Sequence, residues 1–369
     1  MGDKASLSRF IRNAYGPLAP YKDESHWAWQ FWDNPYRRDE GDLLPVSIAL
    51  DGSEIVGQIA VQPAEFQLGT TTVAGGWIVD VFILAAYRGQ GIGHKLHQVL
   101  MECYPLLLTL TMAPATRRIA EAASAYSLNT CVRYAKVLRT DPQDVRDYVL
   151  TRLQHRAPLQ KFSRLAMRVT KAEYLIAPAV TLLAASRRSS RRASHRSELE
   201  MQEVSCFGDE IDRLWRDCAS DFEAIAPRDR RFLAWRFEKS PHLKYRFVIA
   251  RKGQQCRGYC VLRKAESAEL RTGIIVDIFS APGDDETISS LLGHAEDLLC
   301  GEVASLECAA SEPDIGRLLR RAGYFAIGSA SPTAVCGDTA WRPLLEEHRL
   351  NWHFTKADHD WDQVHLAIR

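Results

Sequence analysis

The chain has 369 residues, 46% of them hydrophobic and 25% charged, and 47 Lys and Arg oppose 46 Asp and Glu for a net charge of +1. This length allows two or three domains, and the composition excludes a disordered tail, a collagen, a disulfide-rich mini-protein and a multi-span membrane protein. The near-zero net charge argues against a chain that is basic throughout, as many nucleic-acid-binding proteins are. Nine cysteines, an odd number without a CxxC pair, predict reduced thiols in a cytoplasmic protein.

In chain order, the predicted elements occur twice. Residues 28–35 read AWQFWDNP and residues 234–241 read AWRFEKSP; residues 78–82 then read IVDVF and residues 275–279 read IVDIF. An apolar two-strand pattern precedes each of the latter segments, with a turn at Asp51-Gly52 or at Lys252-Gly253, and a helical pattern follows each. This order predicts an α/β protein made of two copies of one unit, each a mixed sheet with flanking helices.

The predicted domains cover residues 1–150 and 201–369, and a linker covers residues 151–200. Within the linker, Arg152–Arg196 holds eleven Lys and Arg against one acid, Glu173, for a local charge of +10. We consider three roles for this basic stretch: a solvated linker, a contact with the anionic inner face of a membrane, and a docking site for an acidic acyl carrier protein. Nucleic acid is a weaker alternative, and no nucleic-acid partner is expected.

A glycine-rich turn follows the first of the two central strands. The β-branched segment 79–84 leads into RGQGIG, residues 88–93, and then into a helix with regular apolar spacing. Glycines at a helix N-terminus leave backbone N–H groups free to bind a pyrophosphate. The dinucleotide pattern GxGxxG fails because His94 stands at its sixth place, and the P-loop pattern fails as well. The pattern that fits is R-x-x-G-x-G, with Arg88, Gly91 and Gly93.

On these residues the sequence resembles the GNAT acyltransferase superfamily. The resemblance implies that acetyl-CoA or another acyl-CoA is the co-substrate, that no metal is needed, and that the loop binds the CoA pyrophosphate. The implied CoA contacts are Arg88, Gly89, Gln90, Gly91, Ile92 and Gly93 in the loop, and the backbone of Val81, Phe82 and Ile83 beside the pantetheine. The strand before the loop is expected to splay from its neighbour.

The second copy lacks the loop. Where R-x-x-G-x-G should stand, it has Asp284, Asp285 and Glu286, which would repel a pyrophosphate. We therefore predict a tandem protein whose second half has lost CoA and serves the acceptor. The arrangement resembles bacterial acyltransferases linked to surface-polysaccharide genes and, more distantly, the Fem-type aminoacyltransferases.

The resemblance also suggests catalytic residues. Asp80 is the candidate base, although its equivalent in the second half, Asp277, favours a structural or interface role for it; Glu65 is a weaker alternative. Tyr126 is the candidate acid, and Tyr134 is a further one. At the C-terminus, three His and three Asp in residues 353–365 suggest metal ligands, but their spacing fits no common site, so a solvated or substrate-facing segment is expected instead.

The predicted function is transfer of an acyl group, most plausibly acetyl, from acyl-CoA to an amine. The expected acceptor is a small or lipid-linked molecule such as an amino sugar or cell-surface precursor. One alternative is a long-chain N-acyl transferase that uses acyl carrier protein and an amino acid. The other is a non-catalytic binding module of the same fold. The protein is expected in the cytoplasm, with peripheral binding at the inner face of the membrane as a variant.

Overall fold

A computed structural model describes residues 4–37, 44–112, 116–118, 120, 125–139, 141–144, 171, 174, 176–178, 198–265, 271–336, 341, 343, 345 and 350–362. The chain forms two compact units that do not follow chain order. Unit 1 comprises Met1–Cys131, Cys206–Tyr245 and Ala330–Arg369, and unit 2 comprises Val132–Ser205 and Arg246–Ser329. Each unit thus takes chain from both predicted domains. The boundaries at residues 150 and 200 stay a prediction.

Unit 1 is built around an eight-stranded mixed sheet. With elements numbered in chain order over the whole protein, its helices are α1 (Lys4–Tyr15), α2 (Glu24–Trp27), α3 (Ile92–Cys103), α4 (Glu210–Cys218) and α5 (Arg230–Leu233). Its strands are β1 (Val46–Asp51), β2 (Glu54–Leu68), β3 (Thr71–Ile83), β4 (Leu106–Thr109), β5 (Tyr126–Ser127), β8 (Ala224–Ile225), β14 (Thr333–Cys336) and β15 (Trp352–His353).

The long antiparallel pair of β2 and β3 forms the centre of this sheet. The strand order is β15-β8-β2-β3-β4-β14-β5, and β1 also pairs with β2. The turn predicted at Asp51-Gly52 joins β1 to β2, where Gly52 has a φ of +61°. Helix α3 packs its apolar side on the sheet through Leu96 and Leu100. This packing follows from the apolar spacing of the helix, and it sets the orientation of the loop before α3.

Unit 2 has a seven-stranded mixed sheet of the order β13-β6-β12-β11-β10-β9-β7. Its strands are β6 (Cys131–Val137), β7 (Glu200–Val204), β9 (Arg246–Lys252), β10 (Gln255–Lys264), β11 (Thr272–Ser280), β12 (Ser305–Ala310) and β13 (Phe325–Ala330). Helices α6 (Asp285–Leu299) and α7 (Pro313–Arg321) pack on it. The hairpin predicted at Lys252-Gly253 joins β9 to β10. The predicted mixed α/β architecture, with the IVD segments as internal strands of two sheets, is confirmed.

The repeated segments AWQFWDNP and AWRFEKSP form a symmetric pair inside unit 1. Trp29 and Trp235 stack with ring centroids 5.2 Å apart. Each indole N–H donates to the backbone carbonyl of the other tryptophan at 2.7 Å. Each tryptophan sits in one turn of π-helix, Ala28–Trp32 or Ala234–Glu238. The two sequence copies therefore form the same local structure, and both tryptophans are buried in the core.

Almost all of Arg152–Arg196 lies outside the described residues, which include only 171, 174 and 176–178 of this stretch. The three roles considered for it are therefore untested. Among the helices that the structure describes, none is both long and apolar enough to cross a membrane.

Candidate functional site

The glycine-rich loop has the conformation that its sequence requires. Gly89 and Gly91 have φ values of +80° and +77°, in the region that favours glycine. A Cβ atom added at either position would meet nothing within 4 Å, so open space lies beside the backbone. Arg88 folds back over the loop, and its Nε donates to the carbonyl of Ile83 at 3.0 Å.

The N-terminus of α3 is open to an anion, and that of α6 in unit 2 is closed. Gly91 caps α3 without a side-chain hydrogen bond, and the first turn of α3, all of it described, contains no acidic residue. In unit 2 the Asp284 carboxylate caps α6 by accepting from the Thr287 N–H at 3.1 Å and from Arg257 at 2.8 Å. A carboxylate therefore already occupies the position at the α6 N-terminus that a phosphate would need and accepts from one of its backbone N–H groups.

Asp80 occupies a β-bulge. In the β2–β3 register, Gln58 pairs with Phe82 and Ala60 pairs with Val79, so Ile59 faces two residues of β3 instead of one. Asp80 has a φ of +53°, which is unusual for a residue with a side chain. Such backbone strain persists only where neighbouring contacts hold it, and it is concentrated at functional sites.

The side chain of Asp80 is held from two directions. The Tyr15 hydroxyl donates to its Oδ1 at 2.9 Å, and the Lys22 Nζ lies 2.7 Å from the same oxygen. Gln58 donates to the Tyr15 hydroxyl at 2.8 Å and to the Asp80 carbonyl at 3.2 Å. Burial and then the Asp80 charge raise the pKa of Tyr15 far above its usual value, so the phenol keeps its proton.

Asp277, the repeat equivalent of Asp80, has a different environment. It is fully buried, stays in register opposite Val261, and accepts from the Tyr259 hydroxyl at 2.9 Å. The extra residue of the unit 2 bulge is Val276 instead. The shared IVD segment therefore contains carboxylates in two different environments. Asp80 lies in a strained bulge beside a lysine, and Asp277 lies in the core of unit 2.

A cavity opens where β3 and β4 separate. In the described residues these strands pair only at Gly76–Leu107 and Trp77–Leu108, although β3 continues to Ile83. The cavity has a volume of about 150 Å³. It is lined by Ile78, Val79, Asp80 and Val81 of β3, His97 of α3, Thr109, Thr111, Met112, Thr116, Ala120, Val335, His359 and Asp360.

The C-terminal segment 352–362 completes one wall of this cavity. His359 has a φ of +61°, its Nε2 lies 2.7 Å from the Ile78 carbonyl, and its Nδ1 contacts the Asp360 carboxylate. Burial, the largest single effect, lowers the pKa of His359, but the charge of Asp360 and the hydrogen bonds to Asp360 and to the Ile78 carbonyl together outweigh it, so the pKa is raised. Burial, the largest single effect, raises the pKa of Asp360, but the charge and hydrogen bond of His359, with the charges of Lys22 and Arg236, together lower it to about 2. The two side chains form a buried ion pair.

A solvated C-terminal segment, one of the two forms expected from the sequence, is wrong for its described part. His353, Asp358 and Asp362 are buried within the unit, where Asp358 binds Arg228 at 2.7 Å and Asp362 accepts from Tyr245 at 2.8 Å. The apolar and aromatic residues between these polar groups pull the segment into the core. Among the described residues, no three His, Cys, Asp or Glu are placed to hold a metal ion; His365 lies outside them.

Two buried histidines make the stability of unit 1 depend on pH. Burial and then the Lys22 charge lower the pKa of His26 to about 4, and burial and then the Arg228 charge lower that of His353 to about 3. Because both folded values lie below the usual 6.5, the unfolded chain binds more protons in this range, and acidification from pH 6.5 favours it. His359, whose pKa is raised, contributes its full stabilisation of the folded state below pH 6.5. The stabilisation from Asp360 is lost only as the pH falls from 3.8 towards 2.

We therefore expect a lower unfolding temperature at pH 5 than at pH 7, with a loss of about 2 kcal/mol for each of His26 and His353. Thermal unfolding followed by circular dichroism at both pH values measures the difference. His26→Gln, which cannot titrate, should reduce it. Equal unfolding temperatures at pH 7 and pH 5 would contradict the expectation.

The structure brings some of the predicted site residues together and leaves others apart. Asp80 and Val81 line the cavity, and residues 88–93 follow the same strand. Tyr126 is on β5, three strands from β3 and so about 14 Å away across the sheet, and it is not among the described lining residues. Glu65 faces Arg231 at 3.5 Å, and Tyr134 is buried in unit 2, where it accepts from Arg320. The catalytic assignments stay predictions.

Sequence reasoning missed five residues of the site: Tyr15, Lys22, His97, His359 and Asp360. Tyr15 and Lys22 stand in N-terminal segments without a motif, and His97 looks like an ordinary helix residue. His359 and Asp360 were noticed only as metal-like spacing. No local signal relates any of them to Asp80, because the contacts depend on tertiary structure.

Comparison with known proteins gives a partial family match and similar solved structures. Residues 8–106 match the model of the acetyltransferase (GNAT) family. Among solved structures, a GCN5-related N-acetyltransferase from Anabaena variabilis is similar, with a TM-score of 0.59, 11% identity, and coverage of 91% of this chain and 70% of that one. A probable N-acyltransferase from Enterococcus faecalis has a TM-score of 0.54, 11% identity, and coverage of 92% and 71%.

No curated protein sequence matches this chain significantly. At 11% identity the solved structures establish the fold alone, and the family match covers the segment that contains β3, the loop and α3. The chain therefore has a GNAT fold, and its residues 8–106 match the GNAT acetyltransferase family model.

Proposed function

We propose that the protein is an N-acyltransferase that moves an acyl group from acyl-CoA to an amine. The observation that carries the proposal is that, in unit 1, β3 and α3 both flank the loop at the open α3 N-terminus and line the cavity that contains the Asp80 carboxylate. The α3 N-terminus offers a place for a pyrophosphate, and the cavity offers a carboxylate that can accept a proton. The family match over residues 8–106 supports the same reaction class.

The residues of the loop fit the pyrophosphate of CoA. The space beside Gly89 and Gly91, which a Cβ would fill, leaves room for phosphate oxygens to approach the backbone. The N–H groups of the first turn of α3 and the Arg88 side chain would bind these oxygens. The edge of β3 facing the divergence from β4, at Val81, Phe82 and Ile83, is where the pantetheine would lie.

In the proposed reaction the bound acyl-CoA supplies a thioester. The amine nitrogen bonds to the acyl carbon, and the carbon–sulfur bond breaks with its electron pair on sulfur. Of the two protons that an ammonium group loses on becoming an amide, one is accepted by Asp80 and released to solvent. The other ends on the thiol sulfur. Tyr15 and Lys22 hold the carboxylate of Asp80 in place, which makes them positioning residues.

We expect one acyl-CoA to bind per chain, because α3 is open whereas Asp284 and Arg257 close α6. Calorimetric titration of the full chain with acetyl-CoA should give a stoichiometry of one. Release of CoA thiol in the presence of an amino sugar then tests the transfer. Two sites per chain would contradict the closed α6, and the absence of binding by folded protein would overturn the proposal.

The acceptor and the cellular setting are finer proposals. We propose an amino sugar or a related cell-surface precursor, free or lipid-linked, on the resemblance described above. Cytoplasmic location, and contact of Arg152–Arg196 with an anionic membrane or an acyl carrier protein, are proposals of the same kind. Vesicle binding in low and high salt separates the membrane from a carrier protein, because the electrostatic attraction is screened by salt.

A further inference from the structure

A buried histidine faces the cavity without a hydrogen-bond partner. His97 is 3% exposed, and neither of its ring nitrogens has a partner among the described residues. Leaving such a group unsatisfied is costly, so native proteins rarely do so without a functional reason. Burial, and then the nearby His94, lower the pKa of His97, so the ring is neutral at pH 7. A neutral imidazole offers one donor and one acceptor.

The other walls determine what His97 can bind. Thr109 is already engaged, since its hydroxyl donates to the Thr111 carbonyl at 2.9 Å. Several lining residues are apolar: Ile78, Val79, Val81, Met112, Ala120 and Val335. Two carboxylates, Asp80 and Asp360, already line the same cavity, each paired with one cation, and the described lining contains no Lys or Arg that could bind a further negative charge. This chemistry matches an aliphatic group that carries one neutral polar atom.

The volume limits the length of that group. A cavity of about 150 Å³ accommodates a molecule of roughly benzene size, with about six non-hydrogen atoms. An acyl chain of four carbons with one added oxygen fits within this volume. The cavity is also on the donor side of the site, since it lies along β3 and α3, the two elements that flank the pyrophosphate loop.

We propose that this cavity selects a short acyl group with a neutral hydroxyl or keto oxygen, which hydrogen-bonds to His97. The inference rests on the acyl-CoA dependence proposed above and goes beyond it by naming the acyl class. His97 acts here as a specificity residue, because it discriminates among acyl groups of equal length.

Three four-carbon donors test the inference: butyryl-CoA, 3-hydroxybutyryl-CoA and succinyl-CoA, with acetyl-CoA as reference. In calorimetric titrations of the full chain, we expect 3-hydroxybutyryl-CoA to bind roughly tenfold more tightly than butyryl-CoA, the effect of one net hydrogen bond. Succinyl-CoA should bind most weakly. His97→Leu should abolish or reverse the preference, and the control Gln98→Leu, an exposed residue on the same helix, should retain it.

The outcomes separate this inference from the proposed function. If acetyl-CoA fails to bind, the acyl-CoA dependence itself is wrong. If acetyl-CoA binds but butyryl-CoA and 3-hydroxybutyryl-CoA bind equally, the inference is overturned, and a water molecule is the partner of His97. A preference that survives His97→Leu overturns it as well. The comparison of donors on the unaltered protein decides the question even if His97→Leu does not fold.

Discussion

Gly91→Glu should weaken acyl-CoA binding by roughly a hundredfold or more. Gly91 has a φ of +77° at the N-terminus of α3, and the space beside it is open. A glutamate there would place a carboxylate where the pyrophosphate binds, and charges a few ångströms apart repel strongly near a protein surface. The positive φ adds a stability cost of about 1 to 2 kcal/mol. Calorimetric titration with acetyl-CoA measures the affinity.

Gly283→Glu is the matched control. Gly283 has a φ of +80°, has equally open surroundings, and stands just before the capped helix α6 of unit 2. The same substitution therefore carries a similar backbone strain and the same added charge. We expect it to leave the dissociation constant of acetyl-CoA unchanged within about twofold. If both variants lost binding equally, the effect would be general destabilisation and the loop assignment would be wrong.

Asp80→Asn should reduce kcat for acyl transfer by about 10² to 10⁴, the usual contribution of a general base. Asparagine tolerates the φ of +53° and can still accept from Tyr15, so the bulge should survive. It cannot accept the ammonium proton and loses the ion pair with Lys22. Steady-state release of CoA thiol gives kcat, and titration should show acetyl-CoA affinity within about twofold of the original.

A pH series distinguishes a base from a positioning residue. Raising the pH makes more of the acceptor amine neutral without help from the protein, so the Asn variant should recover part of its rate if Asp80 is the base. Asp277→Asn, at the equivalent place in unit 2, should leave kcat unchanged. Full activity of Asp80→Asn would assign Asp80 a structural role and leave the base to another group.

The local signals in the sequence were reliable where the chemistry is local. The Asp51-Gly52 and Lys252-Gly253 turns, the two IVD strands and the loop at 88–93 depend on neighbouring residues, because hydrogen bonds within a turn or hairpin connect positions close in the chain. The loss of the loop in the second copy could also be predicted from the sequence. In the structure, the Asp284 carboxylate lies at the helix N-terminus, where a phosphate would bind.

The contacts that surround Asp80 could not be predicted from the sequence in the same way. Tyr15 reaches it across 65 residues, and His359 reaches the neighbouring Ile78 across 281. Asp80 and Asp277 stand in the same local sequence. A one-residue difference in bulge position nevertheless places Asp80 in a strained site at the cavity and Asp277 in the core of unit 2.

By itself, the sequence determined the repeated α/β unit, the strand–loop–helix that fits a pyrophosphate, and which copy kept it. Only the tertiary structure decided that unit 1 draws on three separate stretches of chain, that the C-terminal segment lies buried beside β3, and that His97 faces the cavity without a partner. The reason is physical: turns, caps and periodicity act over a few residues, whereas burial and ion pairing depend on which distant segments the hydrophobic core brings together.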